Sequence, residues 1–477
     1  MSASWVRFLF WAYLLFLIWA EATVTNPVDP DLWHRLAVGE MLLKTGQFPS
    51  GDTFSYLADY QQIADHEWGS AIVIYALYHG IGPGAIVAMK LITLTITMAL
   101  IVWAGLWQRR PSVLAVAFYA LVLLALLPSF QSTIRCMVFT HIFFALWLYW
   151  FQAERHGRPI STLFYVLTMM VWANLHGGFV IGLAWLLGVC LVQACYQRPW
   201  HKWLARFGLC SLATLVNPFG WHLWVSTGRA LISPRRGFGE WGAVSWGTHF
   251  DSYPGYKLLL LGSIVALAIL IHRRGWKRLD HPIIILMGGA VALSLFSARH
   301  TSLFAVVTGG LFLGLFPPSP LLRNIDNPVN RLGYMALCTV LLIIPLFSAI
   351  IVLPGAGLQL EYPHIACPVA AVDYLQRQKV RGNLLVPFNY GSYALWQLRG
   401  QMRVSMDGRY DLVYRPETFQ RVEDFFAAKG DWPSLLTTPA PEAILVRRDD
   451  DVYSKLKNLP GWKEACQDSH DAVFLPR

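Results

Sequence analysis

Long apolar segments alternate with short polar ones over most of this 477-residue chain. A stretch of about 17 to 25 predominantly apolar residues is long enough to cross the hydrocarbon core of a membrane as a helix. The pattern predicts about eleven such helices, some of them short. They are placed at Trp5–Thr23, Ala85–Trp107, Val113–Leu127, Val138–Phe151, Thr162–Trp172, Phe179–Cys195, Phe207–Leu215, Lys257–Ile271, Pro282–Phe296, Leu303–Phe316 and Met335–Leu353.

Two longer polar regions interrupt this pattern, at residues 24–84 and 354–477. The first is predicted to be a loop that contains an in-plane or re-entrant helix around Ser70–His79. The second has the composition of a soluble protein and shows strand and helix periodicities in turn. The predicted fold class is therefore an α-helical polytopic membrane protein, residues 1–353, with a C-terminal α/β domain at residues 354–477.

Short segments of the C-terminal region carry this α/β prediction. The apolar spacing predicts helices over "PVAAVDYLQRQ", "SYALWQL" and "PETFQRVEDFFAA". Alternating or continuous apolar runs predict strands over "GNLLVPF", "MRVSMDGRYD", "AILVRR" and "AVFLPR", the second of them ending in a turn.

The composition agrees with a membrane protein and excludes an ordinary soluble one. Hydrophobic residues make up 55 % of the chain and charged residues 14 %, whereas soluble globular proteins have roughly 25 % charged residues. The seven cysteines are scattered, without the CxxC spacing of a metal site. Cys367 and Cys466 are candidates for a disulfide because both belong to the C-terminal region.

Basic residues fall in every second predicted loop, which fixes an orientation. Examples are Arg109–Arg110, Arg155 with Arg158, and Arg273–Arg278. By the positive-inside rule these loops are cytoplasmic, so the N-terminus is predicted inside and the C-terminus outside. The net charge of +10 is then an orientation and lipid-headgroup signal, and nucleic acid is not a predicted partner.

The first apolar run has two interpretations. Ala20-Glu21-Ala22 resembles a signal-peptidase site, which would make the run a cleaved signal peptide. Only Arg7 precedes the run as a basic residue, and its tryptophans suit an uncleaved span better. In both interpretations Asp29 lies outside the membrane.

Polar residues of unusual kinds collect in the loops predicted on the outer face. Ionisable residues at membrane depth are costly and usually face a protein interior or a cavity. Their convergence from at least five outward segments predicts one shared outward cavity. The residues are Asp29, Asp31, His34, Asp52, Asp65, His66, Glu67, Arg135, Asn174, His176, Asn217, Glu240, Trp241, Arg299 and His300.

Several of these residues also have structural interpretations. Asp29 or Asp31 could cap a helix that starts near Leu32, where the N-terminal dipole favours acids. His34 could be an interfacial histidine with its hydrogen bonds satisfied, and Asp52 in "SGDTFSY" could be a turn residue. Lipid headgroups are alternative partners for the two outward arginines, Arg135 and Arg299.

Six blocks together resemble a family of bacterial polytopic membrane proteins placed among the GT-C-fold glycosyltransferases, beside protein O-mannosyltransferases and aminoarabinose transferases. The first two blocks are the more specific ones. The blocks are "DPDLWHRLAVGEMLLKTGQFPSGDTFSY", "DHEWGSAIVIYALY", "WANLHGGFVIGL", "NPFGWHLW", "ARHTSLFA" and "VSMDGRYDLVY".

The resemblance implies a location and a reaction. It implies transfer of a sugar from a polyprenyl-phosphate carrier to an acceptor outside the bacterial cytoplasmic membrane, the acceptor being a glycan, a lipid or a protein. It also implies that the acidic motif of the first outward loop supplies the catalytic carboxylate, which is Asp29 or Asp31 in this chain, with Glu67 in a second acidic block. A divalent cation, Mg²⁺ or Mn²⁺, is the candidate cofactor, and metal dependence is left open.

The residues themselves suit this chemistry. A carboxylate base can take the proton of an acceptor hydroxyl as that oxygen attacks the anomeric carbon. Positive charge is needed against the departing phosphate, and the candidates are Arg135 and Arg299, with His176 or His300 beside them. The remaining predicted substrate-binding residues are His34, His66, Asn174, Asn217 and Glu240.

Two other functional classes remain as alternatives. A ligase or polymerase of lipid-linked oligosaccharides would use similar outward residues, and a transporter would gather charged groups around a cavity. The C-terminal region is predicted to be accessory to catalysis. Its "MDGRYD" segment, with Asp407 and Asp411 around Arg409, is expected to hold a strand-end turn or to touch the acceptor.

Overall fold

The fold was determined as a computed structural model that describes most of the chain. The described residues are 11–19, 26–48, 51–60, 63–107, 113–130, 135–232, 241–246, 253–316 and 358–477.

Residues 11–19 are helical, and the elements that follow are numbered from there. The helices are α1 Asp31–Thr45, α2 Trp68–Gly80, α3 Gly84–Gly105, α4 Val113–Leu126, α5 Met137–Arg155, α6 Thr162–Leu175, α7 Phe179–Cys195, α8 His201–Ala213, α9 His222–Ile232, α10 Pro254–Arg274, α11 His281–Phe296, α12 Thr301–Leu311, α13 Val369–Arg377, α14 Phe388–Gln397, α15 Pro416–Phe426 and α16 Asp451–Lys457. The strands are β1 Gly382–Leu385, β2 Met402–Val404, β3 Ala443–Arg447, β4 Trp462–Gln467 and β5 Asp471–Pro476.

The chain divides into two compact units that are each built from separate stretches. The first unit contains Met1–Asn26, Val87–Val216 and Arg235–Gln359, and the second contains Pro27–Ile86, Asn217–Pro234 and Leu360–Arg477. The first outward loop of the sequence analysis therefore folds together with the C-terminal region. The predicted domain boundary after residue 353 lies outside the described residues and stays a prediction.

The first unit consists of apolar helices. Three described segments are long and apolar enough to cross a membrane: Gly84–Gly105, Pro254–Arg274 and Ala298–Leu315. At 1.5 Å per residue, a 22-residue helix such as α3 is about 33 Å long, which matches a hydrocarbon core of about 30 Å. Shorter apolar helices accompany them.

The predicted spans from Ala85 to Phe316 all fall on helices of the structure. The helix expected at Phe207–Leu215 begins earlier, at His201. Of the first predicted span the described part is helical, and the last one, Met335–Leu353, lies outside the described residues. The number of spans and the orientation of the termini stay predictions.

Helix α12 lies at the centre of the first unit. Each of its residues is buried, and it packs against α4, α5 and α11. Gly309 allows close approach, because a Cβ atom built there would overlap Ile101 Cγ2 and would lie 3.0 Å from Val122 Cγ1. Small residues at helix interfaces have this effect in membrane proteins generally.

A basic residue of the first unit, Arg206, is fully buried. Arg206 of α8 donates to both carboxylate oxygens of Glu154, at 2.6 and 2.7 Å. Its guanidinium lies over the rings of Tyr165 and Trp203, 4.3 and 4.8 Å from their centroids. This ion pair joins the end of α5 to α8, so Arg206 has a packing role besides its charge.

The second unit is built on a five-stranded sheet with the order β2-β1-β3-β5-β4. Strand β1 runs parallel to β2 and β3, and β5 is antiparallel to β3 and β4. Apolar strand residues such as Leu385, Ile444 and Phe474 are buried in its core. Side chains of the first outward loop, Leu57 and Ile63, pack against the same core.

Two backbone contacts join the outward loop to the C-terminal region. Residues 54–56 extend the sheet at its β2 edge, where Val404 N donates to Phe54 O at 3.0 Å and Tyr56 N donates to Val404 O at 3.1 Å. Val28 N donates to Glu361 O at 2.8 Å. The loop therefore covers an edge that would otherwise expose unpaired backbone groups.

The predicted elements of the C-terminal region agree with the structure at helices α13, α14 and α15 and at strands β1, β2, β3 and β5. Strand β4 and helices α9 and α16 were missed. The in-plane helix expected around Ser70–His79 is α2, Trp68–Gly80. Cys367 and Cys466 are both free thiols, so the candidate disulfide is not formed in this structure.

Candidate active site

The Asp29-Pro30-Asp31 motif forms the start of helix α1. The backbone N–H of Asp31, the first residue of the helix, donates to Asp29 Oδ1 at 3.0 Å. Asp29 is buried, with 2 % of its surface exposed. Its carboxylate is therefore engaged at the helix N-terminus, as the helix-capping alternative expects for one of the two acids.

Asp31 has a different environment from Asp29. Its side chain is 51 % exposed, and its Oδ1 atom lies 3.9 Å from Nδ1 of His34, one turn further along α1. Since residues three apart in a helix lie on the same face, this proximity follows from the sequence spacing. Of the two acids in the motif, Asp31 is the more exposed one.

His34 is fully buried and is bound from the C-terminal region. Its Nδ1 lies 3.2 Å from Oγ of Ser392 in α14, and the same Oγ accepts from Gly408 N at 2.9 Å. Which of Ser392 Oγ and His34 Nδ1 donates in this contact depends on the tautomer of the imidazole. Among the described residues, the buried Nε2 atom of His34 has no hydrogen-bond partner.

The charge state of His34 follows from its surroundings. Burial lowers the pKa of His34 well below its usual value, and the nearby Arg35 lowers it further, although Asp407 acts in the opposite direction. His34 is therefore a neutral imidazole at physiological pH.

Gly408 brings the C-terminal region into direct contact with the motif. A Cβ atom built on Gly408 would lie 2.5 Å from Asp31 Oδ1 and 2.9 Å from His34 Nδ1. Any side chain at this position would force the neighbouring groups apart. Glycine is required here because the backbone itself forms the wall beside Asp31.

On either side of Gly408, Asp407 and Arg409 form a buried charged cluster with Asp52 of the first loop. Arg409 donates from Nε and Nη2 to the two oxygens of Asp407, at 2.8 and 2.6 Å. It also donates from Nη1 and Nη2 to the two oxygens of Asp52, at 2.5 and 3.1 Å. The Tyr414 hydroxyl completes the cluster by donating to Asp407 Oδ2 at 2.9 Å.

The cluster is ionised in the folded protein. Burial alone would raise the pKa of Asp407, but the Arg409 guanidinium outweighs it and lowers that pKa to about 2. Burial opposes the charge of Arg409, and the two carboxylates outweigh it and hold its pKa well above the usual value. Asp52 also accepts from Ser55 N at 2.6 Å, so it has the predicted turn contact in addition to the ion pair.

A second buried ion pair holds Glu67. Arg35 donates from Nη1 to the two oxygens of Asp65, at 3.1 and 2.9 Å, and its Nη2 pairs with Glu67 Oε2. Glu67 also lies near His66, whose Nε2 is 3.9 Å from Oε1. Because Glu67 is paired with a guanidinium, it is a weaker candidate base than Asp31.

Three predicted substrate-binding residues make hydrogen bonds to other groups of the protein. Asn174 donates to Met170 O and Val216 O at the end of α6. His176 Nδ1 accepts from Gly178 N at 2.9 Å and lies 2.7 Å from Thr140 Oγ1. Asn217 accepts from Phe219 N and donates to Gly220 O, as a turn residue does.

The remaining predicted residues belong to the first unit. Arg135 immediately precedes α5, and Arg299 lies over the ring of Trp241, 4.7 Å from its centroid. His300 Nδ1 is buried without a hydrogen-bond partner among the described residues. Glu240 lies outside the described residues, and the single shared cavity stays a prediction.

No group of three or more His, Cys, Asp or Glu side chains in the described part of the chain is arranged to hold a metal ion.

The sequence analysis missed the roles of Ser392, Gly408 and Arg409 at this site. The "MDGRYD" segment was noted, but it was assigned to an accessory region. One feature of the sequence could have indicated these roles. Gly408 stands between Asp407 and Arg409, in the turn at the end of a predicted strand. The pairing of that turn with the first loop arises only in the folded unit.

The comparisons with known proteins give one kind of match. No family model matches the sequence, and the curated proteins contain no match either. The crystal structure of ArnT from Cupriavidus metallidurans bound to undecaprenyl phosphate aligns with 99 % of this chain and 98 % of its own, with a TM-score of 0.55 and 16 % identity. The chain shares the fold of ArnT.

ArnT is an aminoarabinose transferase with the GT-C fold, so the expected GT-C-like architecture is supported along the whole chain. At 16 % identity the ArnT likeness establishes the fold, and the activity is inferred from the site.

Proposed function

We propose that this protein is a membrane glycosyltransferase that takes a sugar from a polyprenyl-phosphate carrier and transfers it to an acceptor outside the cytoplasmic membrane. The ArnT fold supports the enzyme class, and the undecaprenyl phosphate bound to that ArnT structure supports the carrier. The long apolar helices support a location in the membrane.

Asp31 is the proposed general base. This choice rests on the different exposure and pairing of the three candidate carboxylates. Asp31 is half exposed beside Gly408, whereas Asp29 is buried at the start of α1 and Glu67 is paired with Arg35. A base must reach the hydroxyl whose proton it takes.

The proposed step is a single displacement. Asp31 accepts the proton of the acceptor hydroxyl while the oxygen forms a bond to the anomeric carbon. The bond between that carbon and the phosphate oxygen breaks, and the electron pair leaves with the polyprenyl phosphate. The neutral His34 and the Gly408 backbone position the carboxylate, and neither group takes the proton.

Arg135 and Arg299 stay the proposed partners of the departing phosphate. A guanidinium can donate two parallel hydrogen bonds to phosphate oxygens, and its charge stabilises the negative charge that develops there. Arg299 already lies over Trp241, with its guanidinium carbon 4.7 Å from the ring centroid.

The test is sugar transfer by the purified protein in liposomes that contain a radiolabelled polyprenyl-phosphate sugar. Asp31→Asn keeps the shape of the side chain but removes the base, so transfer should fall by about 100- to 10,000-fold. Asp29→Asn should retain most activity, since asparagine caps helices about as well as aspartate. Binding of the donor lipid should be unchanged in both variants.

Two results would contradict the proposal. Near-normal turnover by Asp31→Asn, with Glu67→Gln inactive, would move the base to Glu67. Translocation of the labelled lipid without transfer of its sugar, in the unmodified protein, would favour the transporter alternative.

A further inference from the structure

A polar cavity of about 550 Å³ lies in the second unit, at the end of strand β3. Its volume falls within the range of about 300 to 1,000 Å³ that is usual for small-molecule sites. None of its residues takes part in the sugar transfer proposed above. The side chains that matter here are Arg447, Arg448, Asp449, His364, His470 and Tyr453.

Basic groups from three separate segments converge on this cavity. Arg447 and Arg448 follow one another at the end of β3, and His470 immediately precedes β5. His364 comes from the segment before α13, and its ring stacks on that of His470 with the centroids 4.6 Å apart. Asp449 is the acidic residue among the lining side chains.

Several hydrogen-bond donors remain available around the cavity. Arg448 uses Nη1 to donate to Asp468 O at 2.8 Å, which leaves Nε and Nη2 without an acceptor among the described residues. The ring nitrogens of His364 and His470 likewise make no hydrogen bond within the described part of the chain. Arg447, in contrast, is paired with Asp449.

The cavity also offers aromatic surface. Arg448 lies over the ring of Tyr453, 5.9 Å from its centroid. The stacked histidines form a second flat wall. Flat amphipathic rings of this kind pack against the apolar faces of polar molecules while leaving their hydroxyls solvated.

We propose that this cavity binds a phosphate-bearing saccharide, with Arg448 contacting the phosphate and the stacked rings of His364 and His470 contacting the sugar. Arginine presents planar paired donors to phosphate oxygens, and the volume accommodates a sugar in addition to the anion. The assignment is independent of the proposed transfer reaction, since it concerns binding at residues that the reaction does not use.

The experiment is calorimetric titration of the purified full-length protein in neutral detergent with glucose 1-phosphate, glucose and inorganic phosphate. We expect glucose 1-phosphate to bind more tightly than either of the other two. Arg448→Gln should weaken its binding by about tenfold or more, as the loss of a charge-assisted pair does. The matched control is Arg403→Gln, which removes an exposed arginine of strand β2 and should leave the binding unchanged.

A second variant tests whether a negative charge at the cavity weakens the binding of glucose 1-phosphate. Asp449→Asn removes the negative charge that is paired with Arg447, so glucose 1-phosphate should bind several-fold more tightly, by roughly the strength of one exposed ion pair. A weaker binding by Asp449→Asn would overturn the proposal. So would equal weakening by Arg448→Gln and Arg403→Gln, equal binding of glucose and glucose 1-phosphate, or the absence of binding by the unmodified protein.

Titration with inorganic phosphate shows whether the cavity binds a sugar phosphate or free phosphate. If inorganic phosphate binds as tightly as glucose 1-phosphate and responds to the same variants, the cavity is a site for free phosphate and the saccharide part of the proposal is wrong.

Discussion

Replacing Asp407 with asparagine removes one negative charge from the buried cluster with Arg409 and Asp52 while keeping the size of the side chain. The amide nitrogen would replace an oxygen that accepts from Arg409 Nη2 and from the Tyr414 hydroxyl. The amide N–H groups would then face the N–H of Arg409 and the O–H of Tyr414 in a buried site. Among the described residues, Asp52 would be the one carboxylate still paired with Arg409. The change tests whether this cluster holds the turn against the first loop.

The magnitude follows from the pKa of Asp407. It is lowered from 3.8 to about 2 in the folded protein, and each unit of pKa corresponds to about 1.4 kcal/mol. The ionised carboxylate therefore contributes roughly 2 to 3 kcal/mol to the free energy of unfolding at pH 7. Because the folded pKa is the lower one, this contribution is complete above the unfolded value and is lost as the pH falls through about 2.

Hydrogen exchange of the full-length protein in detergent measures this contribution locally. Peptides that cover β2 and the Asp407–Arg409 turn should exchange roughly 60-fold faster in Asp407→Asn at pH 7, the equivalent of roughly 2 to 3 kcal/mol. At pH 3 the difference should shrink to about tenfold, because roughly half of the contribution is then lost. Asp431→Asn, at an exposed position of the same unit, is the control and should exchange like the unmodified protein.

Equal exchange by Asp407→Asn and the unmodified protein at pH 7 would refute the reasoning, since it would mean that the buried ion pair adds nothing to the stability of the turn. A difference that stays constant between pH 7 and pH 3 would refute the assignment of the effect to the charge.

Two further substitutions separate positioning from structural support. Gly408→Ala should lower sugar transfer by about 100-fold without unfolding the protein, because a methyl group would displace Asp31 and misplaced reacting groups cost about that much. Gly80→Ala is its control, since a Cβ there meets no atom within 4 Å, and equal activity of the two variants would contradict the prediction. Glu67→Gln should lower the free energy of unfolding by about 1 to 3 kcal/mol, through the loss of the buried pair with Arg35, and it should reduce transfer less than Asp31→Asn. Thermal unfolding and turnover measured on the same preparation check this, and a loss of transfer with unchanged stability would contradict it.

The sequence predicts that Asp407→Ala lowers activity less than alanine at Asp29 or Asp31, because it assigns the C-terminal region an accessory role. The structure leads to a different prediction. In the structure Asp407 is fully buried next to Gly408, which contacts Asp31 and His34. We now expect Asp407 substitutions to affect activity at least as strongly as Asp29→Asn, through the position of Gly408.

The structural alternatives weighed for Asp29 and Asp52 were useful, because each residue accepts a short-range hydrogen bond from a backbone N–H. Such bonds join positions two or three apart, so they can be predicted from the sequence. The role of Gly408 could not be predicted in this way, because the atoms that exclude a side chain there belong to residues more than 370 positions earlier in the chain.

The sequence by itself determined the helices of the first unit, most strands and helices of the C-terminal region, and the proximity of Asp31 to His34. Each of these depends on local periodicity: apolar length for a span, alternation for a strand, and a three-residue spacing for one face of a helix. Only the tertiary structure decided that the first loop and the "MDGRYD" turn form one site, and which carboxylate stays accessible. That outcome depends on burial and on ion pairs between distant segments, Arg409 with Asp52 above all, and the energy of such pairs is set by an environment that exists only after folding.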